Sequence, residues 1–582
     1  MTTPATRSTF VPVSLDCTRP AQIEPLFADL QRRPVRTRDE LATWILDRGE
    51  LDAALSECQA ELYIAMTCRT SDEGAQAAYA SFVETIPPFV KPLAFELDRR
   101  QVELASALKP DERRFGVLMR DVRAEVELFR AANVPIQTEL SRLSQRYDQV
   151  AGAQTVTFDG REQTFPQMAR YQEQTDRSIR EAAWRAVASR RLQDSEAIEE
   201  IFDRMVALRD TVARNAGCPN FVAYAFKEKH RFDYGVRECE AFHRACEEAV
   251  VPFCRRLEAS RRRTLRVDAL RPWDLAVDVH GRAPLRPFEG GRDMMSKAVR
   301  AFELLDPRLG AMLAELGDGS EARGADGGAC VDLDSRPGKA PGGYQYMRDR
   351  SRTPFIFMNA AGLYRDVSTM VHEAGHAFHS MLTTGEPLLA YRHAPIEFCE
   401  VASMSMELLT LPHMGDTRSF YPAPEALARA TRLQIERAVT LLPWIATIDA
   451  FQHWLYTHPA HTRAERERAW LALDERFGSS VSWDGIERSR ATMWQRQPHL
   501  FGSPFYYIEY GIAQLGALQL WLISLERGER AAVDLYIRGL SQGGSRPLPE
   551  LFEAAGLTFD FGPETVRRLV DRAEQELAKL PD

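Results

Sequence analysis

From Val367 to the C-terminus the sequence has the apolar spacing of helices joined by short loops, with no run that alternates as a strand does. So long a helical stretch must cover its apolar faces with other helices, which predicts a mainly α fold with any sheet confined to the residues before it. Arg38 to Val150 also reads as long amphipathic helix, with breaks expected at Pro87-Pro88, Lys109-Pro110 and Pro135. Helical periodicity returns from about Pro166 to Arg266, and again from Asp293 through Phe302. Arg271 to Gly291 is Pro/Gly-rich, and Gly317 to Gly328 should be loop.

Strand signals are few. Thr155–Phe158 and Arg161–Phe165 flank Asp159-Gly160, a two-residue hairpin turn. Phe355-Ile356-Phe357-Met358-Asn359 is the strongest strand candidate, and the turn-rich run Gly338 to Tyr344 precedes it. These elements predict an N-terminal helical lobe over 1–165, closed by the hairpin, and a larger lobe over 166–582.

Composition narrows the function. The 582 residues are 45% hydrophobic and 27% charged, the balance of a globular protein. A net charge of −9 argues against nucleic-acid binding. The one basic run, Arg261-Arg262-Arg263, reads as a solvated helix face. Nine cysteines at scattered spacings, with no Cys-x-x-Cys, predict free thiols in a reducing cytosol. Neither a signal-peptide pattern nor an uninterrupted 18-residue apolar run is present, so a cytoplasmic protein without membrane spans is expected.

The chemistry is concentrated in Val371-His372-Glu373-Ala374-Gly375-His376. In a helix, residues four apart stand about 40° apart around the axis and one turn apart along it. The imidazoles of His372 and His376 can therefore converge on one ion. Glu373 lies on the flank of that face, where it can take a proton from a metal-activated water. Asp366 is the expected N-cap of this helix and Gly385 with Pro387 its stop. Gly375 costs about 1 kcal/mol inside a helix, so a close backbone neighbour is expected there.

A catalytic zinc needs a third protein ligand. His379 is seven positions beyond His372, about 10.5 Å along the helix, too far for one ion to take all three. Glu400 is the better candidate, with Glu407 on the same face of an otherwise apolar helix beginning at Pro395. Spacing alone leaves a solvent-facing stripe open for these two carboxylates. Cys399 should point about 100° away from Glu400 and reads as core.

The His-Glu-Ala-Gly-His motif with Phe398-Cys399-Glu400-Val401-Ala402-Ser403 after it resembles the thimet oligopeptidase and oligoendopeptidase F family of metallopeptidases, and is closer to the bacterial oligoendopeptidase F branch. Gly338–Tyr344, Pro354–Asn359 and Pro504–Leu515 resemble further segments of that branch. The likeness is strong from about Val331 to Leu525 and weak before Arg180. It implies a helical two-lobed body around a deep channel with one zinc per chain, held by His372, His376 and Glu400, and Glu407 as an acceptor for a ligand imidazole. It also implies endopeptidase action on short, unstructured oligopeptides.

Near the C-terminus, Ser503 is the expected N-cap of a helix with Pro504 in its first turn. Tyr507 and Tyr510, three apart, and Tyr506 and Tyr510, four apart, share helix faces, which on spacing alone fits an aromatic core stripe. By resemblance, His499 matches the family's active-site histidine, and Tyr507 and Tyr510 match tyrosines that contact substrate or oxyanion. Tyr506, Phe357, Asn359, Gly342 and Gly343 are further candidate substrate contacts, with the Phe355–Asn359 strand edge open to an extended peptide. A zinc carboxypeptidase or dipeptidyl carboxypeptidase on a similar scaffold is the alternative. A non-catalytic peptide-binding protein is a third reading, set against the presence of Glu373 and all three ligands.

Overall fold

The computed structural model describes residues 10–320, 330–340 and 342–581. Most of the expected 317–328 loop, and Pro341, lie outside the described residues. The fold is mainly helical. Seven helices matter most for the site: α1 (Arg38–Cys68), α2 (Glu73–Leu108), α3 (Val236–Ala245), α4 (Tyr364–Leu382), α5 (Ile396–Leu409), α6 (Pro424–Thr457) and α7 (Tyr507–Arg527). The strands are β1 (Thr155–Phe158), β2 (Arg161–Thr164), β3 (Val331–Asp334), β4 (Tyr344–Arg348) and β5 (Thr353–Ala360).

Local chemistry sets many of these boundaries. Thr37 and Glu40 form a reciprocal cap at the start of α1. Asp159 and Gly160 both have positive φ, at 53° and 70°, as a two-residue hairpin turn between β1 and β2 requires. The expected break at Pro87-Pro88 does not occur: α2 runs on through Pro87, Pro88 and Pro92. The turn before these prolines is exposed at Val83, Glu84 and Thr85, so water can take the carbonyls that lose their amide donors. The break at Lys109-Pro110 does occur, with Lys109 left-handed at φ 50°.

One apolar cluster draws on helices from Leu128 to Leu577 and contains α3 to α7. A second gathers residues from Val11 to Met119, joined by Leu388 and Tyr391. α7 is long and apolar enough by composition to cross a membrane, but 83% of that window is buried inside the protein.

The larger sheet has the order β3-β5-β4, with β3 parallel and β4 antiparallel to β5. The expected open edge on the Phe355–Asn359 strand is therefore wrong. Both sides of β5 are paired, by β4 on one side and on the other by β3, which precedes β4 in the chain, and β4 carries an edge that is unpaired among the described residues. α1 braces that strand from outside. Thr67 Oγ1 and the Tyr344 hydroxyl are 2.7 Å apart, Ala340 N–H donates to Thr67 O at 2.8 Å, and Ser56 Oγ donates to Asp349 Oδ2 at 2.6 Å.

Candidate metal centre and active site

α4 takes Leu363 as its N-cap, not Asp366, which sits three residues further in. The Asp366 carboxylate accepts from Leu363 N–H (3.0 Å) and Ala361 N–H (2.7 Å), so it caps the helix from within. Further along, α4 meets α5 at Gly375. A Cβ there would stand 2.5 Å from Ala402 O and 2.6 Å from Ser403 Cα, distances only glycine permits. This contact brings Glu400 of α5 over the histidine face of α4.

The imidazole centroids of His372 and His376 are 4.9 Å apart. Glu400 Oε2 lies 3.4 Å from His372 Nε2 and 3.7 Å from His376 Nε2, and all three residues offer ligand atoms within 4.8 Å of one another. Two ligands at about 2.0–2.1 Å from a tetrahedral ion stand about 3.3–3.4 Å apart. The donor set and its spacing thus fit a zinc-sized ion with only small adjustments.

The surrounding groups fix the ligand geometry. His372 Nδ1 is 2.8 Å from Glu407 Oε1, which turns Nε2 toward Glu400. Glu407 Oε2 in turn accepts from Gln434 Nε2 (2.6 Å) and Ser368 Oγ (3.1 Å). Ser403 Oγ donates to Glu400 Oε2 at 2.9 Å. Burial opposes ionisation of Glu400, but His376, His372 and Ser403 outweigh it and hold the carboxyl down to about 2. Burial holds His376 down to about 4, so its nitrogen lone pair is free at neutral pH. Burial, with Glu400 nearby, pushes Glu373 up to about 7, a value suited to proton exchange near neutrality. Gln434, Ser368 and Ser403 were not among the sequence candidates. Ser403 had a visible signal, three residues from Glu400 on the same helix; Gln434 and Ser368 had none.

His379 is buried, and burial lowers it to about 3. Cys399 Sγ points at Ala394 O, 3.3 Å away.

The C-terminal cluster gathers around His499. Its ring lies 5.5 Å from Tyr506, 4.9 Å from Tyr507 and 6.2 Å from Tyr510. Gln497 Nε2 is 2.7 Å from His499 Nδ1, another contact the sequence did not signal. The Tyr506 hydroxyl reaches to 3.5 Å from Glu400 Oε1, whereas Tyr507 turns toward Gln497 and Trp444. The expected cap at Ser503 is wrong: Ser503 ends the short helix His499–Gly502, and α7 starts only at Tyr507. Phe505, left-handed at φ 63°, lies between them and is fully buried, so the chain turns there to sink an aromatic ring.

Two of the expected substrate contacts face elsewhere. Phe357 is fully buried and stacked on Tyr344 at 4.8 Å, so its side chain is core. Asn359 Nδ2 donates to Ala340 O and Gly342 O, so its amide holds the turn before β4. Gly342, at φ 102°, and Gly343, packed against Thr369 and Phe357 O, complete that turn.

A cavity of about 1950 Å³ lies beside these groups, bordered by Gly342, Asn359, Tyr364 and Trp444, and does not include the metal-site residues themselves. Twelve Lys or Arg residues line it against five Asp or Glu, a basic interior in a chain of net charge −9. Arg261 is one of them, half-buried and donating to Asp274 O and Val277 O, while Arg262 and Arg263 are exposed as the solvated-face reading expects.

The model of Peptidase family M3 matches residues 170–568. Oligopeptidase PepF of Bacillus subtilis (strain 168) is 24% identical over 339 residues, spanning 57% of this chain and 47% of that protein. The oligoendopeptidase F homolog of Borreliella burgdorferi is 24% identical over 229 residues, spanning 38% and 37%. The matched region thus spans about half or less of these curated relatives. Among solved structures, PZ peptidase A with inhibitor 2 superposes with a TM-score of 0.86 at 27% identity, covering 98% of this chain and 99% of that one. A candidate oligoendopeptidase F superposes at 0.85 and 26%, with 98% and 99% covered.

Proposed function

The chain belongs to peptidase family M3, and on that premise we propose that it is a zinc-dependent oligoendopeptidase cleaving internal bonds of short, unstructured peptides. The observation that carries the reading is the convergence of His372, His376 and Glu400 with Glu373 on the adjoining flank of α4. His372, His376 and Glu400 would hold one zinc per chain. When bound, zinc supplies a Lewis acid that polarises the scissile carbonyl and acidifies water.

Glu373 takes the proton of the attacking water and passes it to the leaving amine, a role its raised pKa supports. Tyr506, Tyr510 and His499 supply donors for the charge that develops on the carbonyl oxygen, with Tyr507 orienting the cluster. The unpaired edge of β4 supports docking of an extended peptide by strand addition. A division into two lobes and a cytoplasmic location belong to the same proposal, the first supported by the separate apolar cluster of Val11 to Met119, although the cluster of Val156, Met168, Tyr171 and Ala183 crosses the boundary at 165, and the second by the scattered, odd-numbered cysteines.

The carboxypeptidase reading has one specific support. Arg191 and Arg496 line the cavity, each carries a guanidinium over an aromatic ring, and either could receive a terminal carboxylate. Quenched fluorescent peptides blocked at both ends separate the two readings. An endopeptidase cleaves them, and a carboxypeptidase does not. Glu373→Gln should keep zinc and bind peptide while losing about 10²–10⁴-fold in kcat; near-parental turnover would remove Glu373 from the mechanism.

A further inference from the structure

One buried cluster lies outside the site described above. Cys239 and His243 are four apart in α3, and Asp449 and His453 are four apart in α6, so each pair shares one helix face. The two faces meet. His243 Nε2 is 2.8 Å from Asp449 Oδ2, and His453 Nε2 is 3.4 Å from the same oxygen. Cys239, Asp449 and His453 offer ligand atoms that all lie within 4.8 Å of one another.

Cys239 and Asp449 are fully buried, and the His453 side chain is 13% exposed. Aromatic rings close the surroundings: Phe226 and Phe505 pack on His453, and Phe477 packs on His243. In this apolar shell Asp449 Oδ1 has no hydrogen-bond partner, and His453 Nε2 meets Asp449 Oδ2 only at the 3.4 Å ion-pair distance. Leaving a buried polar atom unpaired is unfavourable, and more so for a charged group. A cation between the three side chains would take the Asp449 carboxylate and the His453 lone pair together.

We propose that Cys239, Asp449 and His453 form a second zinc site with three protein ligands, His243 orienting the Asp449 carboxylate. Thiolate, imidazole and carboxylate together suit zinc, whereas magnesium and calcium prefer oxygen ligands alone. The 3.4 Å separation of His453 Nε2 and Asp449 Oδ2 matches the edge of a tetrahedral zinc polyhedron, about 3.3–3.4 Å. The hydrogen bond from His243 to Asp449 is the kind of outer contact that fixes a ligating carboxylate. Directly after α3 the helix widens into a π turn at Cys246–Val250, an irregularity frequent at functional sites. The ion would clamp α3 to α6, and through the 5.3 Å contact of His453 with Phe505 it would steady the turn leading to Tyr506.

Metal analysis tests this on the full-length protein equilibrated with zinc and then dialysed. The parent should hold two zinc ions per chain. His372→Ala/His376→Ala should retain one, and Cys239→Ser should retain only the catalytic one. The cobalt-substituted parent gives an independent reading that needs no variant. The centre at His372, His376 and Glu400 has no sulfur ligand, so a thiolate-to-cobalt charge-transfer absorption reports the second site. The band should persist in His372→Ala/His376→Ala and vanish in Cys239→Ser. A single zinc that disappears wholly with His372 and His376, or a cobalt protein with no thiolate band, would overturn the proposal. So would a band that survives in Cys239→Ser.

Discussion

Replacing Glu407 by glutamine keeps the size of the side chain and removes only its charge. One carboxylate oxygen accepts from His372 Nδ1 at 2.8 Å, and the other accepts from Gln434 Nε2 and Ser368 Oγ. A glutamine cannot meet both demands. With its oxygen toward His372, its amide faces the Gln434 amide, donor against donor. With its amide toward His372, the imidazole must move its proton to Nε2, the nitrogen aimed at the metal. Each arrangement loses one charge-assisted hydrogen bond, worth about 1.5–3 kcal/mol. At 1.4 kcal/mol per decade this is about 10–100-fold in zinc affinity, the range usual for such outer contacts. Competition with a chromophoric chelator measures the affinity directly. Adding Gln434→Ala removes the opposing amide and should restore part of the loss. If Glu407→Gln binds zinc as tightly as the parent, the orienting role assigned to Glu407 is wrong.

Gly375→Ala gains about 1 kcal/mol of helix propensity, but its Cβ meets the backbone of Ala402 and Ser403. Overpacking of about 1–3 kcal/mol should win, giving a lower urea midpoint and weaker zinc binding; an unchanged midpoint would contradict the close contact. Burial and the neighbouring Glu397 raise Glu509 from 4.5 to about 7, although Arg231 at 2.6 Å opposes the shift. The folded state then keeps a proton that the unfolded chain has lost, so stability should fall as pH rises from about 4.5 to about 7. Glu509→Gln should flatten this decline in Tm between pH 5 and pH 8, and equal slopes in the two proteins would refute it. The basic cavity should favour acidic peptides over lysine analogues in KM, by about tenfold at low salt. That preference should shrink with added salt and in Arg191→Gln/Arg496→Gln; a salt-independent KM ratio would argue against it.

The helical character and the motif helix were legible because both follow from spacing within a single segment. Spacing showed Glu400 only as a carboxylate on an apolar helix and the family resemblance was needed to mark it as a ligand, since its approach to His372 depends on the Gly375 contact between two helices. The edge of β5 was misread because the short strand β3, just before the turn-rich run that leads to β4, joins it in parallel, and no local pattern announces such a pairing. Proline carries the same local signal whether its turn faces water or the core, so the continuation of α2 was hidden. The start of α7 was misplaced because Ser503 and Pro504 look like a helix beginning, while the buried ring of Phe505 imposes a left-handed turn instead.

The hydrogen bonds from α1 tie the β4 region to a helix far from the metal centre in sequence. Thr67 and Ser56 hold Tyr344, Ala340 and Asp349 from a part of the chain that precedes the matched region beginning at 170. Substitutions at Thr67 or Ser56 would loosen the bracing of β4 while leaving His372, His376 and Glu400 in place. A change in α1 can thus alter the setting of β4 with no direct contact to the His372, His376 and Glu400 cluster.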